Sequence, residues 1–158
     1  MRAYADSSFI LRLITGESGS TAAIGEYRRL KSPRLFFLPL HALEIENAIG
    51  QRAFFQRHSI PSGERGQVTR ERDAALSRLL RLKNRRALVD VAVDMDAAIE
   101  GARSLSKTHA EKIGARAMDL LQVSCALALK SEIFLTCDER QFHLAKAEGL
   151  KATFVAPD

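Results

Sequence analysis

Several features that define particular protein classes are missing from this sequence of 158 residues. No apolar run approaches the length of a membrane span, and Asp6 interrupts the stretch that a secretory signal peptide would need to keep apolar. The two cysteines, Cys125 and Cys137, stand alone in no metal-ligand spacing. We therefore expect two reduced thiols in or near the core, and a cytoplasmic protein.

The sequence also lacks the motifs of one common class of enzyme and the features that would divide it into several domains. No G-x-S-x-G motif occurs, and the four histidines show no triad arrangement, so serine hydrolase chemistry has no support. No internal repeat, low-complexity tract or linker divides the chain. Apolar residues at 46% and charged residues at 27% are typical of a globular protein long enough to bury a core. We predict a single domain over residues 1–158.

Strand and helix patterns alternate along the chain. The predicted strands lie at 2–5, 35–38, within 87–93, at 133–136 and at 152–155; the predicted helices lie at 7–14, about 20–30, 40–57, 64–84, from 94 to near 108, from 119 to 129, and 139–148. The strands are continuously apolar, which indicates a mostly parallel sheet with helices on both faces, a three-layer α/β/α sandwich. An S-I-P-S-G break at 59–63 separates two long helices that we expect to form a protruding hairpin.

The most informative stretch joins an apolar helix to an apolar strand and carries an acid near each. Residues 120–129 contain no charge, yet Asp119 opens this helix; Asp138 follows the strand at 133–136. A buried carboxylate is costly unless donors or cations receive it. Each acid is also explained by helix capping, Asp119 for its own helix and Asp138 for the next one. Further acids at the same edge of the predicted sheet would favour a functional site over helix capping.

Two more acids are expected at that edge. Asp6 ends the first strand, and Glu44 lies in the first turns of the helix after the second strand. Sites in parallel α/β sheets form at the carboxyl ends of the strands, and carboxylates gathered there without His or Cys favour Mg²⁺ or Mn²⁺ over zinc. Ser8 and Thr136 are placed to orient the carboxylates or bind water.

Positive charge is concentrated in one segment, from Gly50 to Arg86. This segment has a net charge of +7 in a chain of net +5, which leaves the remainder at −2. The basic residues are Arg52, Arg57, Arg65, Arg70, Arg72, Arg78, Arg81, Lys83, Arg85 and Arg86. Such a segment indicates either a polyanion partner, to which arginine is well suited, or a solvated helical face.

Four segments resemble the PIN-domain nucleases, and within them the VapC-type toxins of toxin–antitoxin pairs. They read Y-A-D-S-S at 4–8, H-A-L-E-I-E-N-A at 41–48, R-A-M-D-L-L-Q-V-S-C-A-L at 116–127, and F-L-T-C-D-E-R-Q at 134–141. The four segments occur in order and together span nearly the whole chain.

The resemblance implies a metal-dependent endoribonuclease whose catalytic and metal-binding acids are Asp6, Glu44, Asp119 and Asp138. Glu44 is preferred to Glu46 because the family pattern places the acid three residues before Asn, here Asn47. The expected cofactor is Mg²⁺, with Mn²⁺ as a substitute, and the expected partners are RNA, a VapB-like antitoxin and a second copy of the chain. Gln122 stands where such toxins often carry His, which leaves its role open.

Metal ions held by such acids lower the pKa of bound water and neutralise charge on the phosphoryl oxygens. Arg116 would then contact the scissile phosphate or balance the acids. Two other classes stay open: a receiver-like or haloacid-dehalogenase-like phosphoryl-transfer module, for which Asp6-Ser7-Ser8 lacks the usual adjacent or D-x-D acids, and an RNA-binding protein that does not cleave.

Overall fold

The computed structural model describes residues 1–156. Its strands are β1 (Ala3–Ala5), β2 (Leu35–Phe37), β3 (Leu88–Asp90), β4 (Ile133–Thr136) and β5 (Ala152–Phe154). Its α-helices are α1 (Ser7–Ile14), α2 (Ser20–Arg29), α3 (Pro39–Ser59), α4 (Arg65–Asn84), α5 (Met95–Ile113), α6 (Ala117–Ala128) and α7 (Glu139–Ala147). A short 3₁₀ turn, Ser62–Glu64, joins α3 to α4.

The five strands form one sheet in the order β3-β2-β1-β4-β5, and every neighbouring pair is parallel. Tyr4 on the central strand is in register with Phe36 on one side and Phe134 on the other. All three residues of β1 and all four of β4 are buried. The carboxyl ends of β1, β2 and β4 therefore meet at one edge, as the sequence predicts.

Alternate residues of the strands face two separate cores. On one face, Ala3 and Ala5 pack with Phe9 of α1, Ile45 of α3 and Leu79 of α4. On the other, Tyr4 and Phe134 belong to a core that includes Leu105 of α5, Val123 of α6 and Leu144 of α7. Helices thus cover both faces of the sheet, which confirms the predicted three-layer α/β/α architecture.

Two helix boundaries differ from their predictions. Helix α5 continues to Ile113 rather than ending near Thr108, and it stops where Gly114 adopts a left-handed φ of 69°, a conformation that glycine reaches without strain. Helix α6 begins at Ala117 with Arg116 at its N-cap position, so Asp119 is its third residue; its carboxylate still helps to cap the helix by accepting a 2.9 Å bond from the Arg116 backbone N–H. The capping explanation for Asp138 is correct, since its carboxylate accepts bonds from the backbone of α7.

Helices α3 and α4 form the predicted hairpin, tied near its turn by a 2.9 Å hydrogen bond from Arg57 to the Thr69 hydroxyl. Several large apolar side chains on the two helices stay exposed, among them Leu43, Phe54, Phe55 and Leu80. Within residues 1–156, no helix combines the length and the apolar character needed to cross a membrane.

Candidate acidic active site

Asp6 lies at the junction of β1 and α1 and is completely buried. Its Oδ1 caps α1 by accepting a 2.9 Å bond from the Phe9 backbone and also accepts a 2.7 Å bond from the Ser8 hydroxyl. Its Oδ2 accepts a 2.6 Å bond from Thr136 at the end of β4. Both predicted hydroxyls therefore hold Asp6, one from its own strand–helix junction and one from the neighbouring strand.

Thr136 also connects Asp6 to Asp138. Its hydroxyl oxygen accepts a 2.9 Å hydrogen bond from the Asp138 backbone N–H while it donates to Asp6. The Asp138 carboxylate in turn accepts bonds from the backbone N–H groups of Arg140 and Gln141, at 2.8 and 3.3 Å. One threonine hydroxyl thus fixes the spatial relation between two acids that are far apart in sequence.

Arg116 bridges Asp119 and Asp138. Its Nε lies 3.2 Å from Asp119 Oδ2, and its Nη2 lies 3.3 Å from Asp119 Oδ1 and 3.1 Å from Asp138 Oδ2. Arg140 adds a second cation, 3.4 Å from Asp138 and 3.9 Å from Asp119. Asp119 is only 1% exposed, so these guanidinium groups and the 3.3 Å bond from Gln141 compensate its burial.

Glu44 reaches the same edge from α3 and is held by neutral donors. Ser7 donates a 2.8 Å hydrogen bond to its Oε2, and the Nε2 of Gln122 donates to the same oxygen. Hydrogen bonding to Asp119 raises the pKa of Arg116, and the charges of Asp119, Asp138 and Glu44 raise it further. Asp119, Asp138 and Glu44 therefore act electrostatically on one guanidinium. By contrast, Glu46 points to solvent.

Burial raises the pKa of Asp6 to about 7; the Asp138 charge adds to the rise, and the bonds from Thr136, Ser8 and Phe9 oppose it. No cation pairs with Asp6 within residues 1–156, unlike Asp119 and Asp138. Burial also raises the pKa of the Cys137 thiol to about 12 and that of Cys125 to about 11. Neither cysteine is thus a ready thiolate nucleophile.

The donor chemistry of the four acids fits a hard divalent cation, because carboxylate oxygen is what Mg²⁺ and Mn²⁺ prefer. Asp6 supports this fit, since it is a buried carboxylate whose partners are neutral hydroxyl and amide groups. In residues 1–156, however, no three acidic, His or Cys side chains are gathered closely enough to hold a metal. Arg116, whose side chain is 62% exposed, lies between two of the acids and has room to move away.

The sequence assigns no role to several residues of the site. Tyr4, Ser7, Arg140 and Gln141 lie within the family-like segments at 4–8 and 134–141, but only their contacts show which groups they hold. Gln122 carries a weak signal: it follows Asp119 by one helical turn, which places both on one face of α6.

The basic segment of residues 50–86 occupies the hairpin, and part of its charge is used within the protein. Arg52 pairs with Glu17, Lys83 lies 3.1 Å from Asp90, and Arg78 donates to the backbone carbonyl of Ile14. Its two interpretations, a polyanion partner or a solvated face, stay open.

Comparison with known proteins identifies one family. A family model described as PIN domain matches residues 3–147, which include all four acids. Among curated proteins, none matches the sequence significantly.

Proposed function

The chain belongs to the PIN-domain family, whose members are generally nucleases, and we propose that it is a divalent-metal-dependent endoribonuclease in which Asp6, Glu44, Asp119 and Asp138 bind the metal. We further propose that one PIN domain accounts for the chain. PIN nucleases typically depend on divalent metals and bind nucleic acids as substrates.

The observation that carries this proposal is the convergence of four acids at one sheet edge. Asp6 and Asp138 share Thr136, Asp119 and Asp138 share Arg116, and Glu44 is bonded to Ser7, the neighbour of Asp6. Carboxylates held at one edge repel one another, and the two arginines there, Arg116 and Arg140, pair with Asp119 and Asp138 but not with Asp6 or Glu44. Helix capping explains Asp6, Asp119 and Asp138 in part, but it does not explain Glu44.

The residues divide the catalytic work between them. Asp6, Glu44, Asp119 and Asp138 would hold the metal, which would neutralise charge on the phosphoryl oxygens and lower the pKa of water. The hydrogen bonds of Thr136 and Ser8 orient Asp6, and those of Ser7 and Gln122 orient Glu44. Arg116 and Arg140 are partly exposed cations beside the acids, suited to receive an RNA phosphate.

We also propose that the protein is the toxin of a toxin–antitoxin pair, as a homodimer inhibited by an antitoxin segment. This part of the proposal rests on the VapC-like motifs and on the shape of the hairpin. A cleft of about 760 Å³ runs between α1, α3 and α4, with Ile49, Ala53 and Val68 in its lining beside Arg72 and Arg78. An amphipathic segment would find apolar and charged contacts there.

Cleavage of a structured RNA and of the matching DNA, each with Mg²⁺, with Mn²⁺ and after EDTA, tests the proposal. We expect metal-dependent RNA cleavage that EDTA abolishes. Asp119→Asn keeps the shape of the side chain but removes a charge, and it should lower cleavage by orders of magnitude while the protein stays folded. Asp96→Asn, at an exposed position in the first turn of α5, is the matched control and should remain active.

Other outcomes would replace the proposal. RNA cleavage that survives exhaustive chelation would exclude the metal mechanism. RNA binding without cleavage under every metal condition would indicate the non-cleaving alternative. Covalent phosphorylation of Asp6 by a small phosphodonor would indicate the phosphoryl-transfer alternative.

A further inference from the structure

A buried row of polar groups connects the central strand to Glu44. The Tyr4 hydroxyl on β1 donates a 2.5 Å hydrogen bond to Oε1 of Gln122 on α6, and Nε2 of the same amide donates to Glu44 on α3. Tyr4 and Gln122 are both completely buried. The row therefore joins three elements that are distant in sequence, β1, α6 and α3.

The direction of the amide follows from the two groups at its ends. The ionised Glu44 carboxylate only accepts hydrogen bonds, whereas the Tyr4 hydroxyl is able to donate. A tyrosine hydroxyl carries its proton at neutral pH, and that of Tyr4 lies 2.5 Å from Oε1 of Gln122. With Oε1 toward Tyr4 and Nε2 toward Glu44, both ends are satisfied; the flipped amide would place its oxygen against the carboxylate.

Uncharged hydrogen-bond donors hold a carboxylate in place and leave its negative charge available to a metal cation. Asp119 and Asp138 are paired with arginines, but within the described residues 1–156 no Arg, Lys or His nitrogen forms an ion pair with Glu44. Gln122 and Ser7 thus hold the carboxylate in place without neutralising it. Ser7 completes the arrangement by accepting a 3.2 Å bond from Gln122 Nε2 while it donates to Glu44.

We propose that Gln122 is a positioning residue, which fixes the Glu44 carboxylate at the acidic edge, and that the Tyr4 hydroxyl sets the direction of its amide. The inference rests on the metal-binding role proposed above for Glu44. In this role Gln122 joins helix α3 of the hairpin to α6, the helix that carries Asp119. Residues behind metal ligands commonly change metal affinity or activity by about 10- to 100-fold when they are removed.

A double-mutant cycle of Gln122→Met and Tyr4→Phe tests the proposal, with Mn²⁺ as the probe. Mn²⁺ affinity is measured by calorimetric titration of the folded protein, and kcat and KM are measured separately with RNA. We expect Gln122→Met to weaken Mn²⁺ binding by about tenfold and to lower kcat more than it changes KM. Tyr4→Phe should weaken binding to a lesser extent in the wild-type background and have no further effect beside Gln122→Met, because no amide remains to be oriented.

Gln67→Met is the matched control. Gln67 also donates from its amide to a glutamate, Glu71, at 3.0 Å, but on the exposed surface of α4. It should leave Mn²⁺ affinity, kcat and KM unchanged. If Gln122→Met behaves like Gln67→Met, or if Tyr4→Phe has the same effect in both backgrounds, the positioning role is overturned. If Gln122→Met does not fold, Tyr4→Phe decides alone: unchanged Mn²⁺ affinity would overturn the proposal.

Glu44→Gln and Glu46→Gln separate this inference from the proposed function. If Glu44→Gln leaves Mn²⁺ binding and cleavage at the level of Glu46→Gln, Glu44 is not a ligand and the proposed function is wrong at this position. If Glu44→Gln abolishes both while Gln122→Met changes neither, the proposed function stands and only the positioning role fails.

Discussion

Thr136 donates a 2.6 Å hydrogen bond to Asp6 across the boundary between β4 and β1. The two residues are 130 positions apart in sequence, yet adjacent parallel strands end side by side and bring them together. The bond stabilises a buried carboxylate that has no cationic partner among residues 1–156. It is therefore important for stability as well as for the site.

Thr136→Val should destabilise the protein measurably. Valine has nearly the shape of threonine, so the loss is two hydrogen bonds, one to the buried Asp6 carboxylate and one from the Asp138 backbone N–H. The bond to the carboxylate alone contributes about 1.5–3 kcal/mol to the free energy of unfolding. Urea unfolding at neutral pH measures it. Thr108→Val, which removes an exposed hydroxyl bonded to the Ser104 carbonyl, is the control and should change stability by less than about 0.5 kcal/mol.

Arg116→Gln should strengthen Mg²⁺ binding. In the structure the guanidinium neutralises Asp119 and Asp138, so a metal has to compete with it for these carboxylates. We expect the variant to melt at a lower temperature without metal, and to gain more in melting temperature on adding Mg²⁺ than the wild type does.

Arg103→Gln controls for the change in net charge, since Arg103 pairs with Glu100 on the exposed surface of α5. It should respond to Mg²⁺ as the wild type does. An Arg116→Gln variant with an unchanged Mg²⁺ response would mean that the arginine does not compete with the metal.

His41 should make the protein sensitive to mild acid. Burial lowers its pKa to about 4, although the nearby Ala5 backbone and Gln122 side chain act to raise it, and its Nδ1 accepts a 2.9 Å bond from the Leu38 backbone. The folded protein therefore favours neutral His41, while the unfolded chain binds a proton near pH 6.5. Its contribution is complete above pH 6.5 and is lost as the pH falls toward 4, by up to about 3 kcal/mol.

The stability of wild type and His41→Gln, measured by urea unfolding from pH 7.5 to 4, checks this expectation. The wild type should lose more stability over this range than the variant, since only the wild type carries the buried imidazole. His143→Gln, at an exposed position on α7, should follow the wild-type curve. Parallel curves for wild type and His41→Gln would show that the imidazole is protonated normally in the folded state.

Gly101→Ala should destabilise the protein although alanine favours helices. A Cβ at position 101 on α5 would lie 2.4 Å from the Ser124 Oγ of α6, which donates to the Ala98 carbonyl at 2.6 Å. We expect a loss of about 1–3 kcal/mol, recovered in part by adding Ser124→Ala. Gly50→Ala on α3 has open space and should stabilise by about 0.5–1 kcal/mol. Thermal or urea unfolding of the four proteins measures both effects.

The sequence by itself determined the layers of the fold and the edge at which the acids meet. Continuous apolar strands alternating with helices predict a parallel sheet covered on both faces, because only such a sheet buries both sides of each strand. The same rule places Asp6 and Asp138 at one edge, since each follows a buried strand. Helix ends were predicted less closely where a single glycine decided them, as Gly114 does for α5.

Only the tertiary structure decided how the acids are held. The bond from Thr136 to Asp6, the bridge that Arg116 forms between Asp119 and Asp138, and the support of Glu44 by Gln122 all join different elements of the fold. A sequence pattern reports the face on which a side chain lies, through periods of two or 3.6 residues, but not which side chain of another element it meets. The contacts between side chains of different elements depend on how the helices pack on the sheet. They leave two of the acids neutralised by arginine and Glu44 oriented by an uncharged amide.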